Sequence, residues 1–111
     1  MSETIKVTGS CLCKAVSFKG EVGHREFHAC HCGMCRQWGG GPFLSVEAKV
    51  QFEGESHITA FASSDWAERG FCGQCGTHLF YRFKGAPQCY ISLGVLDNTE
   101  DFKFQSQIYV D

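Results

Sequence analysis

The sequence lacks the features that direct a chain to a membrane or to nucleic acid. No apolar run approaches the roughly 20 residues that span a bilayer. The net charge is −2 and the ten Lys and Arg residues are scattered. No basic stripe is offered to a phosphate backbone, and no basic amphipathic segment to a membrane surface. Nothing in residues 1–7 has the blocks of an export signal. Helical periodicity is also missing, since no window of about 11 residues sustains it. There are no internal repeats, low-complexity tracts or linkers. These absences predict one domain, residues 1–111, in the cytoplasm, with chemistry directed at something small. Its 43% hydrophobic residues, ten of them Phe, can fill a single modest core.

Cysteine is plentiful, at eight residues. Three thiols fall within the six residues Cys30-His31-Cys32-Gly33-Met34-Cys35, and the glycine at the turn lets the sulfurs point at one centre. A tetrahedral zinc takes four ligands, and a site with three protein ligands keeps a position for water or substrate. Disulfides are the competing reading, because the cysteine count is even and high. Cysteines two apart are poorly placed to bridge each other, and the clustering is local.

Two further pairs accompany the triplet. Cys11-Leu12-Cys13 follows a first strand; in an extended segment i and i+2 share a face, so both sulfurs become neighbouring ligands that need two more. Cys72-Gly73-Gln74-Cys75-Gly76 reads as a zinc knuckle whose glycines allow the turn that aims backbone amides at the sulfurs. The economical division is a closed four-thiolate site from the two pairs and an open three-thiolate site from the triplet. Cys89 is left over, set in apolar alternation that suits a small buried hydrophobe.

Alternation predicts about ten short strands, at 5–9, 16–20, 27–32, 43–46, 50–52, 58–61, 68–72, 79–83, 88–93 and 104–110. Residues 1–3 read as a frayed end, and a hairpin is expected at 84–87. Helix is limited to single turns, one at 35–38 stopped by Gly39-Gly40-Gly41-Pro42, the other at 97–101.

The cysteine motifs in this order, with Gly9-Ser10 before the first, Arg36 after the triplet, Ser63-Ser64, Arg69-Gly70-Phe71 before the knuckle, and Gly94-Val95-Leu96-Asp97, carry a resemblance. Over nearly its whole length the chain resembles the glutathione-dependent formaldehyde-activating enzyme family, also called the centromere protein V/Gfa domain. The resemblance implies an all-β, β-tent, Mss4-like fold carrying two zinc ions. It implies a structural zinc on Cys11, Cys13, Cys72 and Cys75, and a catalytic zinc on Cys30, Cys32 and Cys35. It further implies carbon–sulfur lyase chemistry: reversible addition of a thiol such as glutathione to a small aldehyde such as formaldehyde, giving S-hydroxymethylglutathione. The partners are then a small thiol and a small aldehyde, or their adduct, with neither nucleic acid nor membrane. The chain departs from the family in its compactness and in Gln107, where members often have His.

Other side chains have two readings each. His28 and His31 are candidates for a proton shuttle, although strand alternation would turn His31 away from its neighbours' metal. Arg69 either pairs with a carboxylate of glutathione or is a solvated charge. Trp38 and Trp66 either line a pocket or pack internally, and His78 is structural. Two other functions compete: a zinc-stapled protein-binding module, its triplet completed by Cys89 or a histidine, and an iron–sulfur protein.

Overall fold

Alternation of buried and exposed side chains runs further along this chain than its polar interruptions suggest. The computed structural model describes residues 4–86, 88–100 and 102–108, the last four of these by backbone alone. The strands are β1 (Ile5–Ser10), β2 (Ser17–Val22), β3 (Glu26–Cys30), β4 (Phe43–Glu53), β5 (Ile58–Phe61), β6 (Ala67–Cys72), β7 (His78–Phe83), β8 (Cys89–Ser92) and β9 (Lys103–Ile108). One short helix, α1 (Gly33–Gly39), follows β3. The strands form one sheet in the order β1-β2-β4-β8-β7-β6-β5, with β3 against β4 and β9 against β3. Only the β3–β9 pairing is parallel among those described. The expected all-β class, the β-tent of short and mostly antiparallel strands with little helix, is what the chain adopts.

β4 replaces the two short strands expected at 43–46 and 50–52. Glu47 and Lys49 are exposed while Ala48 between them is buried, so the polar residues are the outward half of an alternation that runs from Val46 to Glu53. The length of β4 lets the sheet divide. Ser45 pairs with His28 of β3 and with Ser92 of β8, while Ala48 pairs with Val22 of β2 and with Cys89 of β8. A backbone has two edges, so β2 and β3 leave from the same edge of β4, one at each end.

Three other expectations are corrected. The strand expected over 27–32 ends at Cys30, where the chain turns into α1. α1 is longer than a single turn, but it does end at the glycines: Gly40 has φ of 81° and donates to Arg36 O at 2.7 Å, a left-handed C-cap that favours glycine. No helix forms over 97–100. A 3-10 turn at Leu93–Val95 precedes it, and Asp97 is tied to β1 by its amide on Thr8 O and by Thr8 Oγ1 donating to its carboxylate at 2.7 Å. Residues 1–3, Pro87, Asp101 and Val110, named in the expectations, lie outside the described residues.

The core gathers Val16, Phe18, Val46, Leu79, Phe80 and Ile91, and Cys89 is buried among them as a small hydrophobe. An irregularity in the β6–β7 register lies between Gly70 and Phe71, which face Phe80 and His78 in turn. The bulge skips Leu79, so Leu79 and Phe80 can both face the core while His78 and Tyr81 are left to the other side. Among the described residues no helix is long and apolar enough to cross a membrane.

Candidate functional site

The eight cysteines are free thiols, and seven of them fall into two groups. Cys11, Cys13, Cys72 and Cys75 place four sulfurs within 4.8 Å of one another. The spacing from Cys11 to Cys13 is 3.6 Å, and from Cys13 to Cys72 it is 3.7 Å. A tetrahedral ion at about 2.3 Å from each sulfur sets sulfurs roughly 3.8 Å apart, so the cluster fits such an ion. The extended segment expected for Cys11 and Cys13 is not what forms. They sit in a turn in which Lys14 N donates to Cys11 O, Cys11 N donates to Val16 O, and Lys14 takes a φ of 69°. The knuckle behaves as expected: Gly76, at φ 83°, donates to Cys72 O at 2.8 Å, and Gln74 N donates to Cys72 Sγ at 3.4 Å. Thr77 joins the halves, its hydroxyl accepting from Leu12 N at 3.1 Å and lying 3.1 Å from Cys75 Sγ. The Thr77 hydroxyl and amide are the main cause that holds the Cys75 thiol down to about 5. Cys13 is pushed up to about 12: the Ala15 amide favours its thiolate, but burial and the neighbouring sulfurs prevail. Packed thiols cannot all ionise together unless a cation joins them.

The second group is Cys30, Cys32 and Cys35, again with sulfurs within 4.8 Å. Cys30 ends β3, held opposite Phe43 of β4 and Ile108 of β9. Cys32 is the N-cap of α1, and its Sγ accepts from Cys35 N at 3.3 Å, as a serine oxygen would in that position. Cys35 is buried on the first turn of the helix. Burial opposes ionisation of Cys32, yet the Cys35 amide and the adjacent sulfurs bring its pKa below the ordinary thiol value. Burial pushes Cys35 up to about 12 despite the adjacent Arg69. Among the described residues no His, Asp or Glu joins this group, and Cys89 does not.

Arg69 is not a solvated charge. It is 4% exposed, and its Nη1 donates to Cys35 Sγ at 3.4 Å. Its guanidinium lies 4.7 Å from the ring centroid of Tyr81 and 5.3 Å from that of Trp38. Trp38 is half-buried, stacked on His78 at 4.0 Å and packed on Phe43, which supports packing for Trp38 and a structural part for His78. Trp66 is 63% exposed, so internal packing fails for it. His31 follows the end of β3, where strand alternation no longer governs its direction; His28 lies within β3, and both are half-buried. Tyr81 was not among the expected residues. The signal was available in the hairpin register, which sets it directly across from Arg69.

The family profile described as "Glutathione-dependent formaldehyde-activating enzyme" matches residues 6–111. A Schizosaccharomyces pombe protein described as an uncharacterized lyase is 33% identical over 106 residues, spanning 93% of this chain and 77% of the relative. A crystal structure of a Rhodobacter sphaeroides protein superposes with a TM-score of 0.70 at 20% identity, covering 88% of this chain and 99% of that one. At that identity the likeness speaks for the fold alone.

Proposed function

The chain belongs to the glutathione-dependent formaldehyde-activating enzyme family, and from that premise we propose that it is a zinc-dependent carbon–sulfur lyase. The reaction proposed is reversible addition of a small thiol, of which glutathione is the family's example, to a small aldehyde such as formaldehyde. The sulfur forms a bond to the carbonyl carbon, the carbonyl π bond opens, and the thiol proton ends on oxygen; cleavage reverses each change. The whole chain is one zinc-binding domain in this reading. Its eight free thiols suit a reducing compartment such as the cytoplasm.

One observation carries the proposal. Of the two cysteine groups one offers four ligand atoms and the other three. Cys11, Cys13, Cys72 and Cys75 would hold a structural zinc with no position to spare, whereas Cys30, Cys32 and Cys35 would hold zinc and leave a position open. Zinc so held supplies Lewis-acid activation of a thiol or of a carbonyl at neutral pH. The chain's own part is orientation: the N-cap bond fixes Cys32, β3 fixes Cys30, and Arg69 meets Cys35. A binding module with two structural metals would need a fourth ligand at the triplet; of those nominated, Cys89 lies in the core, and among the described residues no histidine joins the group.

Thiols add to formaldehyde unaided, so product formation alone decides nothing. The informative measurement is exchange between free and adduct formaldehyde at equilibrium, followed by NMR. Wild type should accelerate exchange without moving the equilibrium, and Cys35→Ser should not. Equal exchange by both proteins across glutathione, cysteine and other small thiols would remove the lyase reading.

A further inference from the structure

Arginine is seldom fully buried unless its charge is met. Arg69 is 4% exposed, and among the described residues the ion pairs are His24 with Glu26 and Arg82 with Glu68, so no carboxylate neutralises it. Its Nε is buried with no hydrogen-bond partner, and its Nη1 reaches one acceptor, Cys35 Sγ at 3.4 Å. The faces of Trp38 and Tyr81 attract a cation without cancelling its charge. A buried charge left alone is strongly unfavourable. The group in contact with Arg69 that can balance it is the cysteine triplet, provided that the triplet is anionic.

The charge count makes the match specific. Three neutral thiols leave Arg69 uncompensated. Three thiolates around a divalent ion carry one negative charge in excess, which one guanidinium cancels. Resting on the reading that Cys30, Cys32 and Cys35 hold such an ion, we propose that Arg69 is a positioning residue of that centre. Held by Trp38 and Tyr81, it directs Nη1 at the Cys35 sulfur and neutralises the surplus charge of the three thiolates. Two consequences follow. Arg69 strengthens retention of a metal that has only three protein ligands. It also draws electron density from the Cys35 sulfur, restoring part of the Lewis acidity that three electron-rich thiolates remove.

The experiment uses full-length protein loaded with Co²⁺, with wild type compared against Arg69→Met, Arg69→Lys and Arg82→Met. Chelator competition reads the affinity of the second metal, and absorption reads the thiolate-to-cobalt charge-transfer band. Loss of a group that supports a ligand typically costs about 10–100-fold in metal affinity. That loss is expected for Arg69→Met at the triplet, with the four-cysteine metal retained as in wild type. The band should move to lower energy, because a sulfur relieved of its hydrogen bond gives up charge more easily; a purely structural role would not shift it. Arg69→Lys keeps the charge without the planar stacked fork and should lie between. Arg82→Met, on the neighbouring strand and paired with Glu68, should match wild type. Wild-type affinity and an unmoved band in Arg69→Met would overturn the proposal while leaving the two-metal reading intact. If Arg69→Met does not fold, Arg69→Lys decides: weakened affinity or a shifted band supports the role, and identity with wild type overturns it. Uptake of a single metal by wild type would defeat the reading of the triplet, and the role of Arg69 with it.

Discussion

His78 illustrates how far a single side chain can report on its surroundings. Its ring lies 4.0 Å from Trp38, and burial first, then the Arg69 charge, lower its pKa below the ordinary 6.5. The folded protein therefore holds His78 neutral at pH values where the unfolded chain has begun to protonate it. By linkage, its contribution to stability is complete above pH 6.5 and is lost as pH falls through the depressed folded value. His78→Phe keeps an aromatic ring for the stack and has no proton to take up. Urea unfolding at a series of pH values should show wild type losing more stability than His78→Phe between neutral and mildly acid pH, and parallel curves would refute this account. The cysteines were legible from sequence because a sulfur cluster at such spacings has few other uses. Arg69 was not, because a cation in a sequence carries no mark of the group that will meet it.

The β6–β7 pair shows the same division between what spacing reveals and what packing adds. A side chain at Gly70 would fall within the ring of Phe80, so glycine is required there by close approach, not by backbone conformation. Gly70→Ala should cost about 1–3 kcal/mol through overpacking. Chemical denaturation measures that loss, and adding Phe80→Leu should recover part of it by making room. If Gly70→Ala is neutral, Phe80 is more mobile than its burial implies. Strand positions were readable because period two survives polar interruptions, but the extent of β4 was not, since Glu47 and Lys49 look like a break until Ala48 is seen to be buried between them. The turn holding Cys11 and Cys13 was hidden for a related reason. Two cysteines two apart suit either a strand face or a tight turn, and only the Lys14 backbone and the Cys11 hydrogen bonds distinguish them.

At the scale of the molecule, the two cysteine groups bear on different parts of the sheet. Cys11 and Cys13 lie in the β1–β2 connection, Cys72 ends β6 and Cys75 lies in the β6–β7 connection, so the two pairs sit near opposite ends of the strand order. Their sulfurs nevertheless meet, so the sheet has to fold over until its flanks touch, and a metal there would fasten the tent shut. Residues 30, 32 and 35 come from one strand end and one short helix, so a metal among them closes almost no chain. Structural zinc sites are linked to folding by about 10–16 kcal/mol of apparent binding energy. Cys72→Ser and Cys11→Ser are accordingly expected to give unfolded or insoluble protein. Cys35→Ser should retain native circular dichroism while its metal content falls towards a single ion. In wild type, chelator titration should then release metal in two phases, the first without loss of structure and the second together with unfolding. Release in one phase, or a Cys35→Ser protein as unfolded as Cys72→Ser, would mean that the triplet helps to hold the fold, and its open position would no longer be the distinction between the two sites.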